Sequence, residues 1–314
     1  MDRQRTVAAA AAATATAAAL AAVLVLEGCG SSARGAAREP SAAESRTLAR
    51  AEQVLISRCM AVRGFPYAVT EGPDDGARSF PYAVDDVAWA RDHGYGGAEE
   101  RAAARAREDD PNQRYFRRLS APERAAARTA LMGAAPVGLS VQAPTGMTVT
   151  ASADGCIADA QRSLYGDLAA WFRVKVVTMN LRPVREARVR EDARYTGAVA
   201  EWAVCMEAAG RPHATPDASR QAAARYGEDL PPAAADAAAA ELAVVEATCA
   251  TGTPLARVSQ ALDRAYGEEL RTRHRAEITL RWRLQNEALP KARRLVQSEH
   301  EHDTTTETSG GSDA

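Results

Sequence analysis

The chain has 314 residues with 39 basic and 41 acidic side chains, so its formal net charge is only −2 at neutral pH. This balance excludes the strong positive field that nucleic-acid binding requires, and we expect no nucleic-acid partner. Aromatic residues make up only 5% of the chain, which predicts helices packed through small side chains.

The first 28 residues have the pattern of a secretory signal peptide: a basic start, an apolar run and a small residue before Cys29. The stretch Leu26-Glu27-Gly28-Cys29 resembles a bacterial lipobox, although Glu27 stands where an uncharged residue is usual. The resemblance implies a diacylglyceryl group on the sulfur of Cys29, which would anchor the protein to the outer face of the cell membrane. Two alternatives stay open, an uncleaved transmembrane anchor and free secretion after cleavage elsewhere.

Four cysteines remain once Cys29 is assigned to the lipid. An even number of cysteines in an exported protein predicts two disulfides. Binding of a metal by all four is the alternative, but the sequence has no C-x-x-C pair. These cysteines are Cys59, Cys156, Cys205 and Cys249.

The predicted organisation is mainly α-helical, with helical bundle-like units stapled by the disulfides. Residues 29–43 are rich in Ser, Ala and Gly and predict a flexible tether. We expect a first helical unit with an irregular insertion over 44–180 and a second helical unit over 181–299. The acidic tail 300–314 is predicted to be disordered.

Within the first unit, apolar spacing predicts a helix that ends at Gly64. The insertion contains an internal echo, Phe-Pro-Tyr-Ala-Val, at residues 65–69 and 80–84, on either side of a turn-rich acidic loop. We interpret the two copies as aromatic strands or as plugs over the edge of the core, with a ligand groove as the alternative. A short helix over 86–93 and a solvated helix over 99–110 follow.

Ser120 and Glu123 form a predicted capping box for a helix that runs to about Met132. Alternating residues on either side of 143–146 then predict a minor β-hairpin. Asp154 is expected to cap the next helix.

In the second unit we expect four helices: one long helix over 183–210, a short one opened by Thr215, an Ala-rich helix that ends at Gly252, and a last helix from 254 that Pro290 ends or kinks.

The two halves share an order of signals that suggests a tandem duplication. Each half contains Cys-Met-x-x-x-Gly, at 59–64 and at 205–210, followed by a later cysteine and a Tyr-Gly-acid motif. If the repeat is real, it pairs Cys59 with Cys156 and Cys205 with Cys249. This is one of three possible connectivities.

These motifs, together with Trp202, Tyr115 and the Gly155-Cys156 pair, resemble a group of uncharacterised secreted lipoproteins of actinobacteria over about residues 45–270. The resemblance implies a helical fold, disulfides and an envelope location. It brings no catalytic residue.

No catalytic, cofactor-binding or metal site is predicted. His93 is the main candidate for a general acid or base, although a loop histidine without a catalytic role is the preferred interpretation. His300 and His302 lie in the predicted disordered tail, and His274 is expected on an exposed helix face. The basic stretch over 271–283 predicts surface ion pairs, with binding of anionic lipid or wall polymer as the alternative.

Three functions from different classes follow. The preferred one is a lipid-anchored extracytoplasmic binding or interaction module whose partner is an envelope protein, a cell-wall polymer or a small ligand. A structural role in the envelope is the second, and a hydrolase acting on envelope material is the third.

Overall fold

A computed structural model of the chain describes residues 37–70 and 78–309, and these ranges contain thirteen helices and one antiparallel strand pair. The mainly α fold with a minor hairpin is therefore confirmed. The predicted signal peptide, Cys29, most of the tether and the acidic loop over 71–76 lie outside the described residues. The elements are α1 (Ala42–Val62), α2 (Val87–His93), α3 (Gly97–Glu108), α4 (Pro111–Arg118), α5 (Ala121–Met132), β1 (Gly138–Gln142), β2 (Thr148–Ser152), α6 (Cys156–Tyr165), α7 (Leu168–Met179), α8 (Leu181–Glu191), α9 (Ala193–Ala208), α10 (Pro216–Asp229), α11 (Pro232–Gly252), α12 (Leu255–Arg273) and α13 (Arg275–Ser309).

Side-chain caps start several helices where the sequence predicts them. Ser120 and Glu123 form the predicted capping box of α5, and the hydroxyl of Thr215 accepts the backbone N–H of Ala218 at the start of α10. Asp154 was the wrong cap for α6, because Gly155 occupies the N-cap position with a φ of 96° and no side-chain cap.

The structure divides three helices that the sequence pattern predicts to be continuous. The helix expected from Cys156 to a break at 181–183 is interrupted at Gly166 and Asp167, between α6 and α7. The helix expected over 183–210 is interrupted at Asp192, whose carboxylate accepts the backbone N–H of Arg194 and caps α9. The helix expected from 254 is interrupted at His274, which ends α12. Polar side chains that bond their own backbone compete with helix continuation, and apolar spacing alone does not register them.

Helix α13 passes through Pro290 and continues to Ser309, so disorder from residue 300 was the wrong prediction for 300–309. Once a helix is nucleated on packed residues, each further residue adds one hydrogen bond at little cost. The tether prediction also ends too late, because the backbone of Arg38 exchanges hydrogen bonds with the side chain of Asn286 and α1 begins at Ala42.

The helices form two groups around separate apolar clusters, which we call lobe A (residues 37–70, 110–180 and 275–309) and lobe B (78–108 and 181–273). In lobe A, α13 packs along α1, α6 and α7. In lobe B, α2 from the predicted insertion packs on α11. The predicted boundary at residue 180 therefore does not divide the cores, since each half of the sequence contributes a segment to the other lobe.

Both predicted disulfides are present, one in each lobe: Cys59–Cys156 in lobe A and Cys205–Cys249 in lobe B. Each Cys-Met-x-x-x-Gly motif ends its helix in the same way. The backbone N–H of Phe65 bonds the carbonyl of Met60, and that of Arg211 bonds the carbonyl of Met206, both at 2.9 Å, over a glycine with positive φ. This is the Schellman arrangement.

The duplication does not extend beyond this helix end. Cys156 is the first residue of α6, whereas Cys249 lies in the last turn of α11. Tyr165 ends α6, but the motifs at 226–228 and 266–268 lie inside helices. No helix in the described ranges has both the length and the apolar character needed to cross a membrane.

Candidate anion-binding cleft

A cleft of about 500 Å³ lies in lobe B between α8 and α12, and the extended segment 78–85 forms one of its walls. That segment is the second Phe-Pro-Tyr copy. Its Tyr82, Ala83 and Val84 are buried in the core of lobe B, as expected of a plug over the core edge, and the segment also forms a wall of a groove. The side chains that face the cleft are Arg78, Ser79, Phe80, Pro81, Tyr82, Ala83, Asp85, Arg182, Arg185, Ala256, Ser259, Gln260, Asp263 and Arg264.

Three arginines hold the wall segment in place. Arg182 donates to the hydroxyl of Ser79 at 2.8 Å. Arg190 donates to the carbonyl of Pro81 at 2.6 Å, and Arg220 donates to the carbonyl of Phe80 at 2.9 Å. The segment belongs to no strand, so Arg190 and Arg220 satisfy backbone carbonyls that a β-ladder would otherwise pair.

The floor of the cleft is a small polar network around Asp263. The hydroxyl of Tyr82 donates to Asp263 Oδ1 at 2.5 Å, and Arg185 Nε lies 2.9 Å from the same oxygen. Burial, together with the hydrogen bond to Asp263, raises the pKa of Tyr82 above its usual range. The phenol therefore stays protonated at neutral pH and keeps its bond to the carboxylate.

The other charged groups of the cleft divide into paired and available ones. Arg78 pairs with Asp86 at 2.7 Å, and Arg182 pairs with Glu186 at 2.6 Å. Arg264 is exposed and has no hydrogen bond or ion pair within the described part of the chain. The cleft thus presents one unused guanidinium directly to solvent.

The cleft also contains an acidic side chain, that of Asp85 in the wall segment. Its Oδ2 accepts the side-chain amide of Gln260 at 2.9 Å. No cationic side chain of the described ranges forms an ion pair with this carboxylate. The cleft therefore offers a free cation and a free hydrogen-bond acceptor to the same ligand.

A row of planar side chains in contact with one another flanks the cleft. The guanidinium of Arg78 lies 5.2 Å from the ring centre of Phe80, whose ring centre lies 4.7 Å from that of Trp89. Trp89 in turn stacks on His93 at 5.0 Å. Such contacts fix the outer edge of the wall segment.

His93 is held by contacts on both sides. Its ring stacks on Trp89, and its Nδ1 contacts the carboxylate of Glu99, a hydrogen bond that lowers the pKa of Glu99 below its usual value. His93 does not line the cleft. The structure therefore does not bring the predicted acid–base candidate together with the cleft residues.

Lobe B also contains a fully buried carboxylate, Glu246, on α11. Its oxygens accept the backbone N–H of Val84 at 2.9 Å and the hydroxyl of Tyr95 at 2.6 Å. Tyr95 also bonds the hydroxyl of Ser219 at 2.7 Å. Burial raises the pKa of Glu246 despite these hydrogen bonds.

A second cavity, of about 420 Å³, lies in lobe A beside the hairpin. It is lined by Arg173, Glu277 and His274, and the side chain of His274 is only 20% exposed. The expected position on an exposed helix face is wrong, because His274 ends α12 and its side chain lines this cavity together with residues 140–144.

The basic stretch of α12 and α13 is largely engaged. Arg271 and Arg273 pair with Glu268 and Glu269, as predicted for a wet helix surface. Arg281 differs, since it is half-buried and donates to the hydroxyl of Thr178. Burial lowers the pKa of its guanidinium. Arg275 and Arg283 are exposed and have no hydrogen bond or ion pair within the described ranges, so two of the five arginines of this stretch stay available.

Sequence reasoning missed the cleft arginines because they lie far apart along a chain rich in arginine. The only local signals are spacings: Arg182 and Arg185 share one face of α8, and Gln260 and Arg264 share one face of α12. Across residues 37–70 and 78–309, no group of three or more His, Cys, Asp or Glu side chains could hold a metal ion.

Comparison of the chain with protein-family models, with curated proteins and with solved structures gives no match. The resemblance to actinobacterial lipoproteins therefore stays a prediction.

Proposed function

We propose that this chain is a lipid-anchored extracytoplasmic protein of the cell envelope that acts as a binding module, with the arginine-lined cleft of lobe B as its ligand site. The membrane would be its first partner, through the lipid on Cys29. An envelope protein, a cell-wall polymer or a small ligand would occupy the cleft.

The observation that carries the location is the pairing of all four cysteines after Cys29 into two disulfides. Stable disulfides are typical of oxidising compartments and rare in the cytosol. The lipobox-like stretch at 26–29 supports the same location independently.

The geometry of the cleft supports a binding role. The wall segment is fixed by arginines, whereas Arg264 and Asp85 are left available to a ligand. A concave site with a few convergent polar groups is the usual form of a small-ligand site. Its volume of about 500 Å³ falls within the common range for such sites.

The location is tested by intact and peptide mass spectrometry of the protein from native envelopes. We expect a mature N-terminus at Cys29 that carries acyl chains, and thiols that react with an alkylating reagent only after reduction. The Cys29→Ala variant should remain unlipidated and should leave the detergent phase in a partition assay. An unmodified Cys29 with free thiols would overturn the location.

The binding role is tested by photo-crosslinking in intact envelopes. A benzoyl-phenylalanine replaces Ala256, which lines the cleft, and the matched control replaces Ala276, an exposed residue of α13 in lobe A. We expect an adduct from the Ala256 position that is absent from the control and is reduced by Arg264→Gln. Equal adducts from both positions, or none, would overturn the binding role and favour a structural one.

A further inference from the structure

We infer that the cleft takes a phosphorylated polyol or sugar, with the phosphate between Arg185 and Arg264 and the hydroxyls on Asp85 and Gln260. This inference rests on the proposed function, since it names the ligand class for the same site. The ligand class is inferred from the hydrogen-bond donors and acceptors of the cleft that have no partner in the described part of the protein.

The phosphate end is set by two guanidinium groups on facing helices. Arg185 on α8 forms an ion pair with Asp263, Nε lying 2.9 Å from Oδ1 without a hydrogen bond, and no hydrogen bond from its terminal nitrogens is found within the described residues. Arg264 on α12 has all its donors unused within the same ranges. A phosphate monoester has three terminal oxygens and up to two charges, so it can accept from both arginines at once.

A carboxylate fits this pair of arginines less well. It has two oxygens and one charge, and a single guanidinium already satisfies both oxygens through its fork geometry. Two arginines without further carboxylate partners on opposite walls therefore favour the larger anion.

The hydroxyl end is set by Asp85 and Gln260. One oxygen of Asp85 accepts from Gln260, which leaves its other oxygen and the carbonyl of Gln260 as acceptors. These two oxygens can accept hydrogen bonds from hydroxyl groups of a ligand, which are neutral donors. Inorganic phosphate has no polyol hydroxyls to donate to these acceptors, so it should bind more weakly than a phosphorylated polyol.

Apolar groups complete the cleft. Phe80, Pro81 and Ala256 line it beside the charged residues. The C–H faces of a polyol or sugar can pack on such a surface while their hydroxyls bond the polar groups. A phosphorylated polyol or sugar thus has a group for each part of the cleft: a phosphate for the arginines, hydroxyls for the acceptor oxygens and C–H faces for the apolar side chains.

The test measures binding by titration calorimetry with the full lipoprotein in non-ionic detergent, at an ionic strength of about 0.15 M, where the screening length is about 8 Å. The probes are glycerol phosphate, glycerol, inorganic phosphate and L-serine. We expect saturable binding of glycerol phosphate, weaker binding of inorganic phosphate, and no binding of glycerol or L-serine. Failure of glycerol phosphate to bind, or equal binding of inorganic phosphate, would overturn the ligand class.

The first variant pair tests the phosphate end. Arg264→Gln should weaken glycerol phosphate binding about tenfold or more, the usual effect of losing a charge-assisted hydrogen bond. Arg257→Gln is the matched control, because Arg257 is exposed on the same helix but does not line the cleft. Seven residues of helix place it about 10 Å away, beyond the screening length, so we expect less than a twofold change. Equal losses from both variants would contradict the inference.

The second variant pair tests the hydroxyl end. Asp85→Asn keeps an acceptor oxygen and removes a negative charge, so binding should hold or tighten. Asp85→Ala removes the acceptor and should weaken binding about two- to tenfold. A large loss in Asp85→Asn would mean that this carboxylate holds an ammonium group, and binding of L-serine would then replace the proposed class.

The same chemistry occurs in soluble molecules and in lipid headgroups. The lipoprotein is therefore reconstituted in vesicles that contain a phosphatidylinositol monophosphate, whose headgroup carries a phosphate monoester on a polyol, or, at equal charge, phosphatidylserine. If the phosphoinositide selectively weakens the titration with glycerol phosphate, the natural ligand is a membrane headgroup; if the two vesicles behave alike, it is soluble. Either result supports the class. If glycerol phosphate does not bind but the crosslink from position 256 still forms, the ligand class is wrong and the binding role stands.

Discussion

The two lobes end one helix each in the same way and differ in almost everything that follows. In both, a Cys-Met pair precedes a glycine-stopped helix end, the methionine is fully buried and the cysteine is bridged. The bridge in lobe A reaches the start of α6, whereas that in lobe B reaches the end of α11. A shared local motif can therefore be joined to different surroundings.

The polar interiors of the lobes also differ. Lobe A packs Tyr165 against Trp171 with ring centres 3.6 Å apart. Lobe B buries the carboxylate of Glu246 and places the arginine-lined cleft between two of its helices. Buried polar groups reduce stability unless every partner is supplied, so their concentration suggests that lobe B carries the ligand site.

The largest predicted effect comes from removing each bridge in turn. The bridges span 97 and 44 residues, and chain entropy then assigns about 5 kcal/mol to Cys59–Cys156 and about 4 kcal/mol to Cys205–Cys249. Paired alanine substitutions, Cys59→Ala with Cys156→Ala and Cys205→Ala with Cys249→Ala, should lower the free energy of unfolding by these amounts, measured by urea denaturation.

Alanine suits these positions because Cys156 and Cys249 are buried and serine would bury a hydroxyl. A larger loss from the shorter bridge would show that local packing, and not loop closure, sets the contribution of each bridge.

The second prediction concerns Glu246, for which lobe A has no buried equivalent among the described residues. Burial raises its pKa, so the folded state binds a proton more tightly than the unfolded chain does. Its contribution to stability is complete below the unfolded pKa of about 4.3 and is lost as the pH rises through the higher folded value. Glu246→Gln should remove this loss, and the variant should gain stability relative to wild type as the pH rises from 4 to 8.

The glutamine can keep the network, because Tyr95 can donate to Ser219 and accept from the new amide. The control is Glu241→Gln, an exposed residue on the same helix with a side chain 72% accessible. Parallel pH profiles for wild type and Glu246→Gln in urea denaturation would contradict the assignment.

Local structural motifs were predictable from the sequence because each depends on only a few neighbouring residues. The capping box at Ser120, the hairpin and the glycine helix ends belong to this group. The disulfide pairing followed from the repeated motif, although the repeat proved to be confined to the helix ends. The interruption at Asp192 was missed because the apolar pattern continues across it.

The exchange of segments between lobes was not predictable in this way. Helix α13 joins α1, and α2 joins α11, through contacts between residues far apart in the sequence. The cleft depends on this exchange, since its wall comes from residues 78–85 and its floor from α8 and α12. The sequence alone does not distinguish an arginine that donates to a backbone carbonyl from an arginine that is free to bind a ligand.

The smallest predicted effect tests the one feature that the lobes share. Gly64 and Gly210 have φ values of 83° and 73°, and an added Cβ would meet nothing within 4 Å at either position. Gly64→Ala and Gly210→Ala should therefore each cost only the conformational penalty, about 1–2 kcal/mol, and should agree within about 0.5 kcal/mol. Asparagine tolerates this backbone region better, so Gly64→Asn and Gly210→Asn should each recover part of the loss. A clear difference between the two alanine variants in thermal or urea unfolding would mean that the helix ends are alike in geometry but supported differently by their lobes.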